Sequence, residues 1–283
     1  MTVSMPSSVD ETLRLLSDDP AATILAGGTD AMVEINYEHR RPASVVSLRR
    51  VNELATWSID GGTVRLGATV PYVEIMNSEL AAASPGLAQA SRTVGSSQIR
   101  NTGTVGGNLA TGSPAGDTIP VLAALDAIVE IASVRGIREV AVVDLIVGVK
   151  RTVLEPDELI VAIRFPVASG PQEFLKIGPR NAMVISVASC ALVINQAERS
   201  VACALGSVSP APLRCGDAEE FAAANIDWTS DGIRITDPRT LETFGSMVAD
   251  AASPIDDHRS TAAYRKHGIA VMARRALTRA TTS

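Results

Sequence analysis

Hydrophobic and polar positions follow two different periods along this 283-residue chain. In SSVDETLRLLSD, Val9, Leu13 and Leu16 recur at helical spacing, and Ser8 with Glu11 stands at the spacing of a capping box. TILA then reads as a short strand, AMVEINYEH as a helix from Ala31 to Glu38, and ASVVSLRRV as a second strand, giving a compact β-α-β unit. ATWSIDGGTVRLGAT alternates with period two on either side of Asp60-Gly61-Gly62, which predicts a hairpin with a slightly long turn. PYVEIMNSELAAASPGLAQASRTVG predicts two helices broken near Ser84-Pro85-Gly86. DAIVEIASVRGIREVAVVDL alternates as a second hairpin turning at Arg135-Gly136, and DELIVAIRFP predicts a strand ending at Pro166. Gly170 and Pro171 mark a boundary. Beyond it, apolar runs at 183–194 and 201–208 predict strands, and Thr261 to Leu277 predicts an amphipathic surface helix carrying Tyr264, Val271 and Leu277 among basic residues. The pattern is α+β throughout and divides the chain at 1–57, 58–170 and 171–283. No internal repeat or low-complexity tract interrupts it.

Composition narrows the class. Hydrophobic residues make up 46% of the chain, enough for a substantial core, but aromatics only 3%, so packing rests on Ala, Val, Leu and Ile. A formal charge of −6 argues against a general nucleic-acid binder. The N-terminal MTVSMPSSVDETL lacks the basic and apolar regions of a signal peptide. The apolar stretch MVISVASCALVI falls short of the roughly 18–20 residues that span a bilayer. No membrane span and a cytoplasmic location are therefore expected. Cys190, Cys203 and Cys215 lack C-x-x-C spacing and read as buried reduced thiols, and three cysteines cannot supply a four-thiolate iron–sulfur cluster. His39, His258 and His267 have no metal-ligand spacing and read as surface or structural residues.

The candidate chemistry lies in two glycine motifs. TGTVGGNLATGSPAGDTIPVL, from Thr102 to Leu122, sets glycines, threonines, an asparagine and an aspartate between apolar segments. Gly106 and Gly107 are free to adopt positive φ and to let a ligand approach the backbone. Thr104, Asn108, Thr111 and Ser113 add hydroxyl and amide groups, and free N–H groups beside them suit an anion. The helix start after Pro114 would add a partial positive charge. LAGGTDAM, from Leu25 to Met32, reads as a strand, a glycine turn and a helix of like character. Neither motif is G-x-G-x-x-G. None of the three lysines follows glycine, which excludes a P-loop, and no G-x-S-x-G supports a serine hydrolase. Two such loops suit a clamp on one extended ligand.

LAGGTD followed by TVGGNLATGSPAGD resembles the FAD-binding medium subunit of the molybdenum hydroxylases, the xanthine dehydrogenase and carbon monoxide dehydrogenase group. The likeness continues through ELIVAIRFP, FLKIGPR, GSVSPAPLRC and TAAYRKHGIAVMARRAL, in the family's order over nearly the whole chain. The resemblance implies an α+β fold in which two subdomains of the p-cresol methylhydroxylase type hold an extended FAD, followed by a C-terminal α+β domain. It places Ala26, Gly27, Gly28, Thr29, Asp30 and Ala31 along the pyrophosphate and nearby ribose. Thr104, Gly106, Gly107 and Asn108 would form the second wall, with Asp117 binding from the start of its helix. Ile160 would pack on the adenine side, Lys176 would lie near the flavin ring, and Arg180 and Ile185 belong to the loop covering one ring face. The resemblance further implies a large subunit with a molybdenum cofactor and a small subunit with 2Fe-2S clusters, assembled as a dimer of heterotrimers, from which electrons reach this FAD. No catalytic residue or metal ligand is implied in this chain.

Simpler readings stand beside these. Asp30 and Asp117 would serve equally as helix caps, Ile160 as core and Lys176 as a solvated strand residue. The chain departs from the family in KIGPRNAMVIS, where many relatives carry an acidic residue just before the Ile-Ala pair and this chain has Met183 and Val184. The electron acceptor, NAD included, is thus left open. A self-contained flavin oxidase or reductase of the same fold, and a non-catalytic interaction module, are the alternatives.

Overall fold

The computed structural model describes residues 1–37, 41–167, 169–229 and 232–282. His39, and Glu38 as the expected end of its helix, lie outside the described residues. The first sheet has three parallel strands, with Ser44–Ser47 between Thr2–Ser4 and Thr23–Leu25. The helix Val9–Asp18 packs against it through Leu13 and Leu16. Ser8 caps this helix by accepting the Glu11 N–H at 3.2 Å, while the Glu11 carboxylate turns one residue further back, to the Ser7 N–H at 2.8 Å. The helix after the first glycine motif runs Ala31–Asn36 and buries none of its residues.

The second sheet is antiparallel, in the order Trp57–Asp60, Thr63–Gly67, Leu159–Pro166, Ile128–Ser133 and Gly136–Ala141. Its first hairpin closes through only Gly61 and Gly62, with φ of 53° and 77°. This is a tight two-residue turn with two left-handed positions, shorter than the sequence suggests. Three helices, not two, follow: Tyr72–Asn77, Leu80–Ala83 and Pro85–Thr93. Pro85 opens the third at its first position, where its missing N–H costs nothing. The segment read as an open glycine loop is largely helical as well, with Ser97–Thr102, Val105–Thr111 and Thr118–Ala124. Gly106 and Gly107 therefore sit in a helix, and positive φ falls instead on Gly112, which ends it at 58°, and on Gly28 at 71°.

The third sheet is antiparallel, in the order Gln172–Ile177, Ala188–Asn195, Ser200–Gly206 and Leu213–Arg214. Both its faces are covered, which explains the unbroken apolar run around Ala188–Asn195. Cys190, Leu192 and Ile194 enter a core with the C-terminal helices, while Ala191 and Val193 enter the core of the second sheet. The final helix is Ala262–Ala280, capped by the Thr261 hydroxyl on the Tyr264 N–H at 3.2 Å. It is no peripheral element: Ile269, Met272, Ala273, Ala276 and Leu277 are buried, whereas Tyr264 is 52% exposed and Val271 lies between these extremes. All three cysteines are free and buried, with Cys190 and Cys203 sulfurs 3.8 Å apart. Hydrogen bonding to Cys190 and burial push the Cys203 thiol up, so it stays protonated. Among the described residues no helix is long and apolar enough to cross a membrane.

Candidate functional site

Glycine decides how the two motifs meet. A Cβ on Gly27 would lie 1.8 Å from the Thr102 carbonyl oxygen, so only glycine lets the first motif rest on the end of the helix that leads into the second. Gly106 plays the same role against the second sheet. Its N–H donates to the Ala68 carbonyl at 3.1 Å, and a Cβ there would come within 2.5 Å of that oxygen. Gly107 differs: a Cβ would meet only the Thr104 hydroxyl, at 3.0 Å.

The result is one cavity of 1320 Å³. Ala26, Gly27, Gly28, Thr29, Asp30 and Ala31 form one side of it. Thr104, Gly106, Gly107, Asn108, Thr111 and Ser113 form the next, with Ile160 and Ile185 farther along. Among the described residues the amides of Gly27, Gly28, Thr29 and Asp30 donate to no other backbone carbonyl, which leaves them for an anionic group. The Thr104 oxygen already accepts the Gly107 N–H at 3.1 Å, and Asn108 Oδ1 accepts from Thr118 at 2.7 Å. What these two side chains offer a ligand is thus a hydroxyl hydrogen and an amide NH2. Tyr72, buried beside Thr118, also reaches the wall, and burial pushes its phenol up, so it acts only as a neutral group.

A phosphate-bearing ligand fits this donor-rich wall, and the space over Gly107 is the direct test. Gly107→Val keeps a helical φ open to any residue but fills the cavity side of the helix. FAD affinity is expected to fall by about two orders of magnitude or more while the fold persists, as checked by flavin fluorescence titration and circular dichroism. Wild-type occupancy in a folded variant would remove this helix from the binding wall.

Three residues that the sequence assigns to the ligand lie off the cavity wall. Asp117 neither caps its helix nor faces the cavity. Buried, it accepts from Lys176 Nζ at 2.5 Å and from the Thr93 hydroxyl at 2.8 Å. Lys176 spends its other donors on the carbonyls of Val184, at 3.0 Å, and Thr93, at 3.2 Å, so it is neither solvated nor open to a ligand. It ties the 178–187 loop to the second sheet's helices, with Val184 packed on Gly178. Arg180 is exposed and folds back on its own loop, donating to the carbonyls of Ala182 and Met183. Asp30, on the wall, also makes no cap; it pairs with Lys150, whose stronger partner is Glu34 at 2.8 Å.

The wall also includes residues that the sequence analysis does not single out as ligand contacts: Lys150, Ser186, Ser207, Asp257, Arg259 and Arg265. Asp257 accepts the amides of Arg259 at 2.8 Å and Ser260 at 3.1 Å, and the Arg265 guanidinium at 2.6 Å. These bonds, the Arg259 amide first, hold its carboxyl down to about 2, so it is ionised at neutral pH.

Known proteins match this chain over nearly its whole length. Residues 1–168 match the FAD binding domain in molybdopterin dehydrogenase, and residues 173–280 match the CO dehydrogenase flavoprotein C-terminal domain. The chain is 28% identical to the xanthine dehydrogenase FAD-binding subunit of Escherichia coli O157:H7, over 97% of this chain and 94% of the relative. It is 30% identical to the nicotinate dehydrogenase FAD-subunit of Eubacterium barkeri, over 93% and 90%. It superimposes on a chain of carbon monoxide dehydrogenase from Hydrogenophaga pseudoflava with a TM-score of 0.89 at 27% identity, covering 99% of this chain and 96% of that one. With both domains matched in order around a cavity built from the two glycine motifs, this chain belongs to the FAD-binding medium subunits of the molybdenum hydroxylase family, the flavoprotein components of these oxidoreductases.

Proposed function

We propose that this chain is the outlet of a molybdenum-containing dehydrogenase. Electrons come from a large subunit with a molybdenum cofactor by way of 2Fe-2S clusters in a small subunit, and leave through this chain to an external acceptor. The observation that carries this reading is the Gly27–Thr102 junction, which sets both glycine motifs on one cavity. Bound FAD would supply a two-electron store able to exchange electrons singly or in pairs. The chain's own residues do the holding: the Gly27–Asp30 amides meet phosphate oxygens, Asn108 and Thr104 donate from the second wall, and Ile160 and Ile185 offer apolar contact. Asp117, Lys176 and Arg180 act from behind, by fixing the loops. The three larger sheets support a division into two FAD-binding subdomains, 1–57 and 58–170, and a C-terminal domain, 171–283. Assembly as a cytoplasmic dimer of heterotrimers follows from the same reading.

The test is reconstitution. The purified chain, loaded with FAD, is supplied anaerobically with heterocycles, aldehydes and carbon monoxide, first alone and then with the two partner subunits. Flavin bleaching is expected only in the complete assembly. Bleaching in the chain alone would replace this reading with a self-contained flavoenzyme, and failure to bind flavin at all would leave an interaction module.

A further inference from the structure

SPIDDHRSTAAYR, residues 253–265, brings two arginines to one aspartate. Asp257 Oδ1 accepts the Arg265 guanidinium at 2.6 Å together with the amides of Arg259 and Ser260, which commits that oxygen. The Arg259 side chain is left over. It stands on the cavity wall, 37% exposed, with its guanidinium 3.8 Å from Asp257 Oδ2, beyond hydrogen-bond reach. Among the described residues this guanidinium has no hydrogen-bond acceptor. Asp256 gives it no help, because that carboxylate accepts the Ala262 N–H at 2.5 Å. Two guanidinium groups against one carboxylate leave the trio with a net positive charge.

The adjoining loop shows the same excess of donors. The Ser253 N–H donates to the Val208 carbonyl at 2.9 Å, which lays Ser253 beside the 207–210 stretch. The Ser207 carbonyl is taken by Arg265 at 2.8 Å, and the Pro114 carbonyl by the Ser207 N–H at 2.8 Å. These acceptors are all engaged. Ser209 and Ser253, both on the wall and neither of them buried, keep hydroxyl hydrogens that go to no other described residue, and the Ser209 oxygen accepts only the Ala211 N–H at 3.5 Å. Open donors, occupied acceptors and a positive charge suit an anion. A guanidinium fork beside two hydroxyls matches the three outward oxygens of a phosphate ester better than the two of a carboxylate. Pro254 and Ile255, the latter 69% exposed, add apolar surface for the rest of such a ligand.

FAD brings a single pyrophosphate, which the reading above gives to the amides of Gly27–Asp30. We propose that Arg259, with Ser209 and Ser253, forms a second phosphate-binding subsite of the cavity, for a phosphate ester that binds beside FAD. This rests on the FAD reading only in assigning the glycine-motif amides to the cofactor's own phosphates.

The probe is phenyl phosphate, a phosphate ester with an apolar body, titrated into the FAD-loaded full chain and followed by phosphorus NMR and calorimetry. Phenol, the same body without the phosphate, is the control and should not bind measurably. Arg259→Gln is expected to weaken phenyl phosphate about tenfold or more, the loss of charge-assisted hydrogen bonds, and Ser209→Ala or Ser253→Ala about two- to tenfold. FAD affinity and melting of the unliganded chain should stay at wild-type values in Arg259→Gln, because this guanidinium holds no other part of the fold. Absence of binding to the FAD-loaded wild type, or binding that Arg259→Gln leaves intact, would overturn the subsite. FAD affinity falling in step with phenyl phosphate affinity would assign Arg259 to the cofactor's own pyrophosphate and overturn it equally. A chain that takes up no flavin would sink the FAD reading instead, and phenyl phosphate binding to that chain would still be decided by Arg259→Gln.

Discussion

Gly27→Ala is expected to abolish FAD binding and to destabilise the unliganded chain by about 1–3 kcal/mol or more, the usual cost of overpacking. The new methyl carbon would sit 1.8 Å from the Thr102 carbonyl oxygen and 2.6 Å from its carbon. Both are backbone atoms, so no side-chain rotation relieves the clash. Either the 26–31 segment lifts from the helix Ser97–Thr102, or that helix shifts with the second motif attached. In each case the amides of Gly27–Asp30 lose their position against Thr104 and Asn108, and a ligand held from both sides is held from one. Urea unfolding of the unliganded variant and a flavin titration measure the two effects separately. Full flavin occupancy at wild-type stability would show that the motifs meet somewhere else.

Lys176→Met should cost still more stability. Lys176 and Asp117 side chains are only 8% and 4% exposed, and among the described residues Asp117 Oδ1 already lacks a partner. Removing the ammonium strands a buried carboxylate and unties the carbonyls of Thr93 and Val184. Breaking a buried pair in this way costs about 3–5 kcal/mol. Asp117→Asn alone is expected to be costly too, and the double variant to recover some of the loss, giving a coupling that a double-mutant cycle reads directly. Additive losses in thermal unfolding would mean that the two residues do not act as a pair. Because the lysine's charge is offset by its partner and lies off the cavity wall, its loss should act on the flavin mainly through the 178–187 loop.

Glycine motif and buried pair differ in how far a sequence can convey them. Both glycine motifs stand out as strings, because glycine clusters beside threonine, serine and aspartate are uncommon within packed elements. Their backbone state does not stand out. Glycine permits nearly any φ, so TVGGNLAT reads as a loop unless Thr104 is recognised as the cap whose oxygen accepts the Gly107 N–H. Asp117 and Lys176 are far apart in the chain and belong to different sheets' surroundings, so no local pattern joins them. Arg265 lies among Lys266, Arg274, Arg275 and Arg279 in a helix whose basic residues look alike in sequence. Only packing against Val187, Ser207 and Asp257 turns one of them inward. The strands are easier to read, because period two is strict, though the unbroken run before Asn195 gives no hint that its two faces serve different cores.

That shared strand bears on how stiff the molecule is. Alternate residues of Ala188–Asn195 are locked into the packing of the second sheet and of the C-terminal helices, so the two halves of the chain have no slip plane between them. Packed interiors compress little and transmit strain. The phosphate-side wall and the wall carrying Arg265 are therefore expected to keep their spacing as charge arrives and departs. In the proposed electron-transfer role, such a build would spend little energy on rearranging itself with each electron, and its speed would then be set by the distance to its neighbours rather than by its own breathing.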